Sequence, residues 1–436
     1  MTIKRFFIFG ILIFSIKGPS FAMMDEEEKS SSQANTNLHR EIFLEEGDKR
    51  KLENYIKDLG KKNIEVKKAV ISEEKKFKLT FSPKGWHSFL FSTDFTPVFI
   101  LLSHTQSSSF VLNMPSRRLN TDELNAAINA AKINTSFVEC IYDFTNDLGQ
   151  WSSQRFCAQS LLRAFTLRNA GLRGLLKNLS YNFSNFSKDN DDETMAIAEC
   201  IEQSLSLREI MLYFNGNSEK TIIKALKNNK QIQSLEIFIF GRSLNHEDSK
   251  DIASLCLNNT SLMCLRLGCT LNDNLVSQLT DVLGHSLPSL ETLALTFNGQ
   301  KLPIMQVSPE NIQSFFQSLK ENNNLRTLQI NFPIDLSAAQ TLSESLKLNK
   351  KMQVLTLTDC DLEDYSIALL SEGMEKNTFI HTVDFSRNYI TDKGADSLIK
   401  MLESNLILKN IYLGENKVSM LKIETINSKL DENRRR

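Results

Sequence analysis

The stretch that decides the fold is IHTVDFSRNYI, residues 380–390, which returns 28 residues later as LKNIYLGENKV, residues 408–418. Both copies carry apolar side chains at positions 1, 4 and 6 and an amide at position 9. Side chains alternate between the two faces of a strand, so positions 4 and 6 lie on the same face. Each copy therefore predicts a short strand with one buried face and one free face.

The same pattern extends over most of the chain. Eight copies begin 25 to 35 residues apart, and their first residues are Leu207, Ile232, Leu262, Leu290, Leu325, Met352, Ile380 and Leu408. Weaker copies begin at Phe137 and Leu176. Between the copies, apolar residues three and four positions apart predict helices over about 219–227, 247–257, 274–283, 310–320, 338–347 and 364–375. The chain therefore consists of repeated strand–helix units.

A second recurrent residue is an asparagine three positions before position 1. It occurs at Asn134, Asn229, Asn259, Asn322, Asn349, Asn377 and Asn405. Asparagine tolerates the left-handed backbone conformation that often ends a helix. We therefore predict that each helix ends at an Asn in this conformation and that a short step leads into the next strand.

These repeats resemble a leucine-rich repeat protein of the ribonuclease-inhibitor-like subtype, over about residues 107–430. The resemblance implies an α/β fold, a curved solenoid with parallel strands on the concave face and helices on the convex face. Phe240, Thr270 and Pro333 depart from the pattern because they occupy position 9 in place of Asn or Cys. We expect irregular curvature where the repeat spacing falls to 25 or rises to 35 residues.

Residues 1–22 have the pattern of a cleaved secretory signal peptide. Lys4 and Arg5 precede an apolar run, and the small residues Ser20 and Ala22 fit the cleavage pattern. The apolar run is too short to span a bilayer as a helix. An uncleaved anchor or a buried helix is the alternative.

Three further segments follow the signal peptide. Residues 23–38 are acidic and rich in Ser, Asn and Gln, which predicts a disordered tether. Residues 39–76 predict one or two amphipathic helices, residues 77–81 alternate as a strand does, and residues 39–106 together predict a small N-terminal α/β cap. Residues 107–436 are assigned to the leucine-rich repeat solenoid with a C-terminal cap, because terminal repeats must shield their core from water.

Composition excludes several classes of protein. The 51 basic and 52 acidic residues nearly cancel, which argues against a nucleic-acid partner bound through phosphate neutralisation. The 41% apolar content argues against an acidic disordered chain. No later segment approaches the length of a membrane helix, so we expect no stable membrane span after signal removal.

The sequence predicts no enzyme and no cofactor. Seven cysteines without a Cys-x-x-Cys pair fit neither a zinc site nor a disulfide framework, and we expect buried thiols. The six histidines form no metal motif, and no phosphate-binding loop or serine elbow is present. Cys360 followed by Asp361 suggests a cysteine nucleophile, but Cys360 occupies position 9 of its repeat, which favours a structural role.

Positions 3, 5 and 7 of each repeat are expected to project from the free face of the sheet. Bulky side chains concentrate at its two ends, and aromatic residues beside an Arg are typical of interface hot spots. The predicted partner-binding residues are Met211, Tyr213, Glu236, Phe238, Arg266, Gln329, Asp384 and Tyr412. The alternative is that the bulky groups pack on each other and bind nothing.

These observations predict an exported, monomeric protein–protein interaction module, secreted or periplasmic, that binds a protein on its concave face. A host-directed effector is one form of this prediction. The alternatives are a regulator of an enzyme such as a small GTPase, and a surface adhesion or structural protein.

Overall fold

The computed structural model describes residues 64–71, 76–83, 96, 99, 103, 109–114, 119–142, 153–183, 191–214, 219–284, 289–296 and 307–435. All of them belong to one compact unit, Leu44–Arg436. The predicted signal peptide, the tether and the start of the cap lie outside the described residues, so these remain predictions.

Strands and helices alternate through the described part of the chain. The strands are β1 (Ile64–Ile71), β2 (Lys76–Pro83), β3 (Ser109–Met114), β4 (Phe137–Tyr142), β5 (Asn178–Phe183), β6 (Glu209–Phe214), β7 (Ser234–Ser243), β8 (Cys264–Thr270), β9 (Thr292–Thr296), β10 (Thr327–Ile330), β11 (Val354–Leu357), β12 (Thr382–Asp384) and β13 (Asn410–Tyr412). The helices are α1 (Thr121–Ile133), α2 (Ser153–Leu172), α3 (Asp191–Gln203), α4 (Glu219–Asn228), α5 (His246–Asn258), α6 (Asp273–Gly284), α7 (Pro309–Ser318), α8 (Leu336–Leu348), α9 (Asp364–Glu375), α10 (Asp392–Met401) and α11 (Met420–Arg435).

Strands β5 to β13 form one sheet in chain order, and every neighbouring pair is parallel. The register aligns equivalent repeat positions, so Leu265 pairs with Leu293 and Leu328 pairs with Leu355. A helix follows each strand, as the apolar spacing predicts. The predicted α/β solenoid is therefore confirmed in this part of the chain.

The repeat pattern explains the core. Positions 4 and 6 are buried in every strand of this sheet, as at Leu355 and Leu357, which are both fully buried. Helix side chains such as Leu342 and Leu370 cover them from the other side. Position 1 is equally buried, as at Met352. Each repeat therefore buries its apolar edge between its neighbours, which is how a solenoid builds a core in one dimension.

The asparagines before position 1 act differently from the prediction. Asn134, Asn259 and Asn349 have φ values of −104°, −99° and −68° and an extended backbone, so the predicted left-handed conformation is wrong there. Their side chains, rather than their backbone freedom, explain the recurrence. Asn349 Nδ2 donates to the carbonyl of Leu319 and to that of Asn322, while its Oδ1 accepts the N–H groups of Lys351 and Met352.

These amides form a continuous asparagine ladder through the C-terminal repeats. Its members are Asn322, Asn349, Asn377, Asn405 and Asn433, and each amide after the first donates to the backbone carbonyl of the one before it. All five are buried. The ladder satisfies carbonyls at the ends of the helices, where the backbone leaves them without a partner inside the helix. Asn433 of α11 joins the ladder although it precedes no repeat in the sequence.

Position 9 holds a second set of buried hydrogen bonds. Asn388 Oδ1 accepts the N–H groups of Cys360 and Leu362, and its Nδ2 donates to the carbonyls of Leu357 and Phe385. The Cys360 thiol donates to the carbonyl of Ile330 at 3.4 Å. Burial raises the pKa of this thiol well above its ordinary value. Cys360 is therefore a structural group, as its place in the repeat indicates.

A second sheet lies at the N-terminal end of the described residues, in the order β1-β2-β3-β4. Strands β1 and β2 are antiparallel, whereas β2, β3 and β4 are parallel. The helical prediction for residues 39–76 is therefore wrong over Ile64–Ile71, where the chain pairs with β2 instead. The predicted boundary at 106/107 falls between β2 and β3, which are paired neighbours in this sheet. The role of residues 39–106 stays a prediction.

Carboxylates at the starts of helices link one repeat to the next, and this predicts acid sensitivity. Asp364 of α9 accepts hydrogen bonds from the N–H and the hydroxyl of Thr391 and from the N–H of Gly394, at the start of α10. Partial burial alone would raise the pKa of Asp364, but these hydrogen bonds outweigh it and hold the pKa below its ordinary value. The stabilisation is therefore complete above the unfolded-state pKa of about 3.9 and is lost as the pH falls through the lower folded-state value.

We expect Asp364→Asn to lower the free energy of unfolding at pH 7 by about 1 kcal/mol, because an uncharged acceptor binds these donors less strongly. The difference from the wild type should shrink as the pH falls below about 3.9 and towards the lower folded-state pKa. Urea denaturation at several pH values measures it. A gap that stays constant from pH 7 to pH 3 would contradict the assigned role of the carboxylate.

Candidate functional site

The free face of the nine-stranded sheet carries positions 3, 5 and 7 of each repeat. In β6 the burial alternates as expected, with Ile210 and Leu212 buried and Met211 and Tyr213 half-buried. On the same face, Gly268 of β8 and Ala294 of β9 are buried and small, whereas Arg266 of β8 is long and half-buried. The bulky side chains of β6 and β7 therefore lie next to a shallow region formed by Gly268 and Ala294.

Three aromatic side chains form what we call the aromatic cluster: Tyr213, Phe238 and Phe240. The rings of Tyr213 and Phe238 lie on register-paired residues of β6 and β7, 4.9 Å apart and at 13° to each other. The Phe240 ring is 6.5 Å from that of Tyr213 and nearly parallel to it. The Tyr213 hydroxyl contacts Met211 Sδ at 3.0 Å. The cluster is therefore an ordered stack rather than a set of isolated side chains.

An ion pair borders the aromatic cluster. Arg266 Nε lies 3.4 Å from Glu236 Oε1, and the two residues are paired in the register of β7 and β8. Partial burial, followed by the negative charge of Glu236, raises the pKa of Tyr213 above its ordinary value. The Tyr213 hydroxyl is therefore neutral at physiological pH. The five predicted residues Met211, Tyr213, Glu236, Phe238 and Arg266 thus lie together on three neighbouring strands.

The other three predicted residues lie elsewhere on the same face. Gln329 is on β10, two strands beyond β8. Asp384 and Tyr412 are register partners on β12 and β13, and Tyr412 is 53% exposed. Asp384 Oδ1 accepts the N–H of Ser386, so one oxygen of this carboxylate is used in a local hydrogen bond with the backbone that follows β12. The predicted residues therefore form one compact group at β6 to β8 and a separate pair at the C-terminal end.

Phe240 is a member of the cluster that the prediction left out. It is 41% exposed and occupies position 9, where the pattern calls for an amide. Strand β7 is also the longest of its sheet, with ten residues, and its register with β8 is interrupted between Phe238 and Ser243. The departure of Phe240 from the repeat pattern was the signal for this extra residue.

Chemistry at the described residues is limited. No group of three or more His, Cys, Asp or Glu side chains in the described ranges could hold a metal ion. Burial raises the pKa of the Cys200, Cys256 and Cys269 thiols to about 12, so they are poor nucleophiles at neutral pH. Within the part of the chain that the structure covers, no helix has the length and apolar character needed to cross a membrane. The absence of an enzymatic activity, of a nucleic-acid partner and of oligomers stays a prediction.

Comparison with known proteins gives structural neighbours only. No protein-family model matches the chain, and no curated protein matches it. One similar solved structure is a protein from Bacteroides fragilis, with 17% identity and a TM-score of 0.40, covering 56% of this chain and 68% of that one. An internalin from Listeria monocytogenes has 14% identity and a TM-score of 0.34, covering 77% and 75%. The yeast Rad7–Elc1 complex has 16% identity and a TM-score of 0.37, covering 75% and 80%.

The fold itself rests on the geometry of this chain. Nine parallel strands follow one another in chain order, each strand is followed by a helix, and the apolar positions of the repeat form the core between them. The described residues from β5 to α11 therefore have the fold of a leucine-rich repeat protein.

Proposed function

We propose that the chain is a protein-interaction module whose concave sheet face binds a protein partner through the aromatic cluster and the neighbouring ion pair. The observation that carries the proposal is the stack of Tyr213, Phe238 and Phe240 on the free face of the sheet. Aromatic and Arg side chains dominate the energetics of protein interfaces. The proposal concerns the class of partner and leaves its identity open.

The surroundings of the aromatic cluster support this function. A partner side chain that packs against the cluster would also cover the Glu236–Arg266 ion pair and exclude water from it, as in the centre of an interface. The small residues Gly268 and Ala294 leave space for the partner next to the bulky side chains of β6 and β7. The stacking also fits the alternative, in which the rings pack on each other and bind nothing. Mutation distinguishes the two.

We expect the double substitution Tyr213→Ala and Phe238→Ala to weaken partner binding at least about tenfold, because hot-spot aromatics contribute about 2 kcal/mol or more when truncated. Both side chains are only half-buried, so the fold should survive, and circular dichroism checks this. The chain serves as bait for its partners, and the affinity of a captured protein is then measured by titration.

Tyr365→Ala is the matched control, because Tyr365 lies on α9 and is 78% exposed. It should leave the same affinity unchanged. If the double variant and the control bind every captured protein equally well, the aromatic cluster is not the binding site.

We also propose that the chain is exported, because residues 1–22 have the pattern of a signal peptide. Cleavage after Ala22 would leave Met23 as the first residue of the mature protein. N-terminal sequencing of the chain recovered outside the cytoplasm should therefore begin at Met23. Recovery of the chain only inside the cytoplasm, with Met1 retained, would reject export.

A further inference from the structure

One edge of the solenoid collects the short steps that lead from each helix into the next strand. Because the strands are parallel, all these steps lie at the same end of the sheet. We call them the basic edge: residues 173–177, 204–208, 229–233, 259–263, 289–291, 319–326, 349–353, 376–381 and 402–409. Neighbouring strands are about 4.8 Å apart, so nine strands make a row roughly 40 Å long.

Charge is distributed unevenly between the two edges. The basic edge has three acids, Glu291, Glu321 and Glu403, against ten basic residues, which are Arg173, Lys177, Arg208, Lys230, Lys320, Arg326, Lys350, Lys351, Lys376 and Lys409. All of the basic residues except Arg173 and Arg208 are exposed. The opposite edge holds the steps that lead from each strand into the next helix. The described residues of these steps include two basic residues and five acids, which are Asp335, Asp359, Asp361, Glu363 and Glu415. A nearly neutral chain therefore has one strongly cationic edge.

Exposed apolar side chains occur between these cations. Leu205 is 79% exposed, Met263 44%, Leu406 43%, Leu175 42%, Phe379 40% and Ile407 38%. Leu175 and Leu205 belong to the neighbouring steps before β5 and β6, Phe379, Leu406 and Ile407 to those before β12 and β13, and Met263 to the step before β8. The basic edge therefore combines a row of lysines and arginines with two small apolar groups near its ends and one apolar side chain between them.

Helix dipoles explain only part of this arrangement. Cations near helix C-termini stabilise helices. However, the terminal carbonyls of Leu319, Leu346 and Met374 already accept hydrogen bonds from the asparagine ladder. A dipole also gives no reason for Leu205 and Phe379 to be exposed. The combination of cationic and apolar side chains therefore points to a ligand.

We propose that the basic edge docks on an anionic phospholipid surface. Lysines and arginines near a membrane are attracted by its negative surface potential, and exposed apolar side chains among them enter the headgroup region. A protein interface instead has an apolar centre surrounded by a polar rim, whereas the apolar groups here lie near the two ends of the row and the cations lie between them. The proposal uses a different surface from the aromatic cluster, so it stands or falls independently of the proposed function.

The test is co-sedimentation of the full chain with lipid vesicles. We expect binding to phosphatidylcholine vesicles that contain roughly one-third phosphatidylserine, and little binding to phosphatidylcholine alone. Raising the salt from about 0.1 M to about 0.5 M should weaken the binding, because exposed charges are screened. Equal binding to both kinds of vesicle, or no binding to either, would overturn the proposal.

Matched charge reversals locate the site. Lys350→Glu, Lys351→Glu and Lys376→Glu together should reduce binding to the anionic vesicles at least about tenfold. The control reverses three exposed lysines on helices, Lys224, Lys250 and Lys393, and should change binding less than about twofold. Equal losses in the two triple variants would show a non-specific effect of net charge and reject the basic edge as the site.

Two further comparisons separate lipid from protein as the ligand. Leu205→Gln should weaken vesicle binding, whereas Leu421→Gln, at a side chain 70% exposed on α11, should not. Polyglutamate should compete poorly with the vesicles, because it offers charge without an apolar layer. If polyglutamate displaces the chain completely and Leu205→Gln has no effect, the basic edge binds an acidic polypeptide and the lipid proposal is wrong.

Discussion

Asn377→Asp should destabilise the solenoid by about 3–5 kcal/mol, the largest effect we expect from a single isosteric substitution here. Asn377 is 4% exposed, and its Nδ2 donates to the carbonyls of Leu346 and Asn349, at 2.7 and 3.1 Å. In the variant a carboxylate oxygen would face those two carbonyls. Two buried acceptors would lose their donor, and a charge would be buried beside them.

The hydrogen bonds of the Asn377 side-chain oxygen would persist in the Asn377→Asp variant. Asn377 Oδ1 accepts the N–H groups of Phe379 and Ile380, and an aspartate could still accept both. The loss in the variant therefore reports the missing donor together with the charge buried in its place. Protonation of the new carboxyl would restore one donor, so the gap to the wild type should narrow as the pH falls from 7 to 5.

Urea denaturation followed by circular dichroism measures the loss, and hydrogen exchange shows whether the C-terminal repeats open first, since repeat arrays can unfold in parts. Asn323→Asp is the control, because Asn323 is exposed next to the ladder residue Asn322 and should change stability by less than about 0.5 kcal/mol. Similar losses in the two variants would mean that added charge, not the ladder, determines the effect.

The sequence predicted the fold because the repeat constrains the same positions many times. Each copy places apolar residues at positions 1, 4 and 6, and a single copy, such as the one that begins at Met352, would be a weak signal without its neighbours. Here Met352, Leu355 and Leu357 are all fully buried, as their positions require. Averaging over copies removes the ambiguity of a short apolar run. The strand and helix order of the repeats was therefore predictable from periodicity alone, whereas β1, which precedes the repeats, was not.

The role of the repeated asparagines was harder to predict. A residue type at a fixed position fits either a backbone conformation or a side-chain hydrogen bond. Asn349 has an extended backbone and bonds the repeat before it, so its contacts lie 27 to 30 residues away in the chain. Local propensity considers only the neighbouring residues and favoured the left-handed interpretation. Asn433 was missed for a related reason, since it lies inside helix α11 rather than at a step between a helix and a strand.

The sequence predicted which face of the sheet carries the candidate site, but not which side chains contact each other there. Alternation alone showed that Tyr213 and Phe238 project from the free face of the sheet. The stacking of their rings and the addition of Phe240 depend on the extended strand β7, which a fixed nine-position pattern does not describe. The strand order placed Tyr412 at the opposite end of the sheet from the start, whereas Gln329 was included only because it projects from the same face.

Gly373→Ala should destabilise the protein by about 1–3 kcal/mol, although alanine is the better helix former. Gly373 lies in α9 and faces Ser343 of α8. A Cβ at this position would lie 2.6 Å from the Ser343 carbonyl oxygen and 2.8 Å from its Cα. Backbone atoms cannot rotate out of the way, so the two helices would have to separate.

Gly284→Ala is a control with the opposite expected sign. Gly284 is the last residue of α6, and a Cβ there would meet none of the described residues within 4 Å. Alanine should therefore stabilise by up to about 1 kcal/mol through helix propensity alone. Thermal melting of both variants measures the two signs side by side. If both substitutions raise the melting temperature, the backbones of α8 and α9 are not in contact at Gly373.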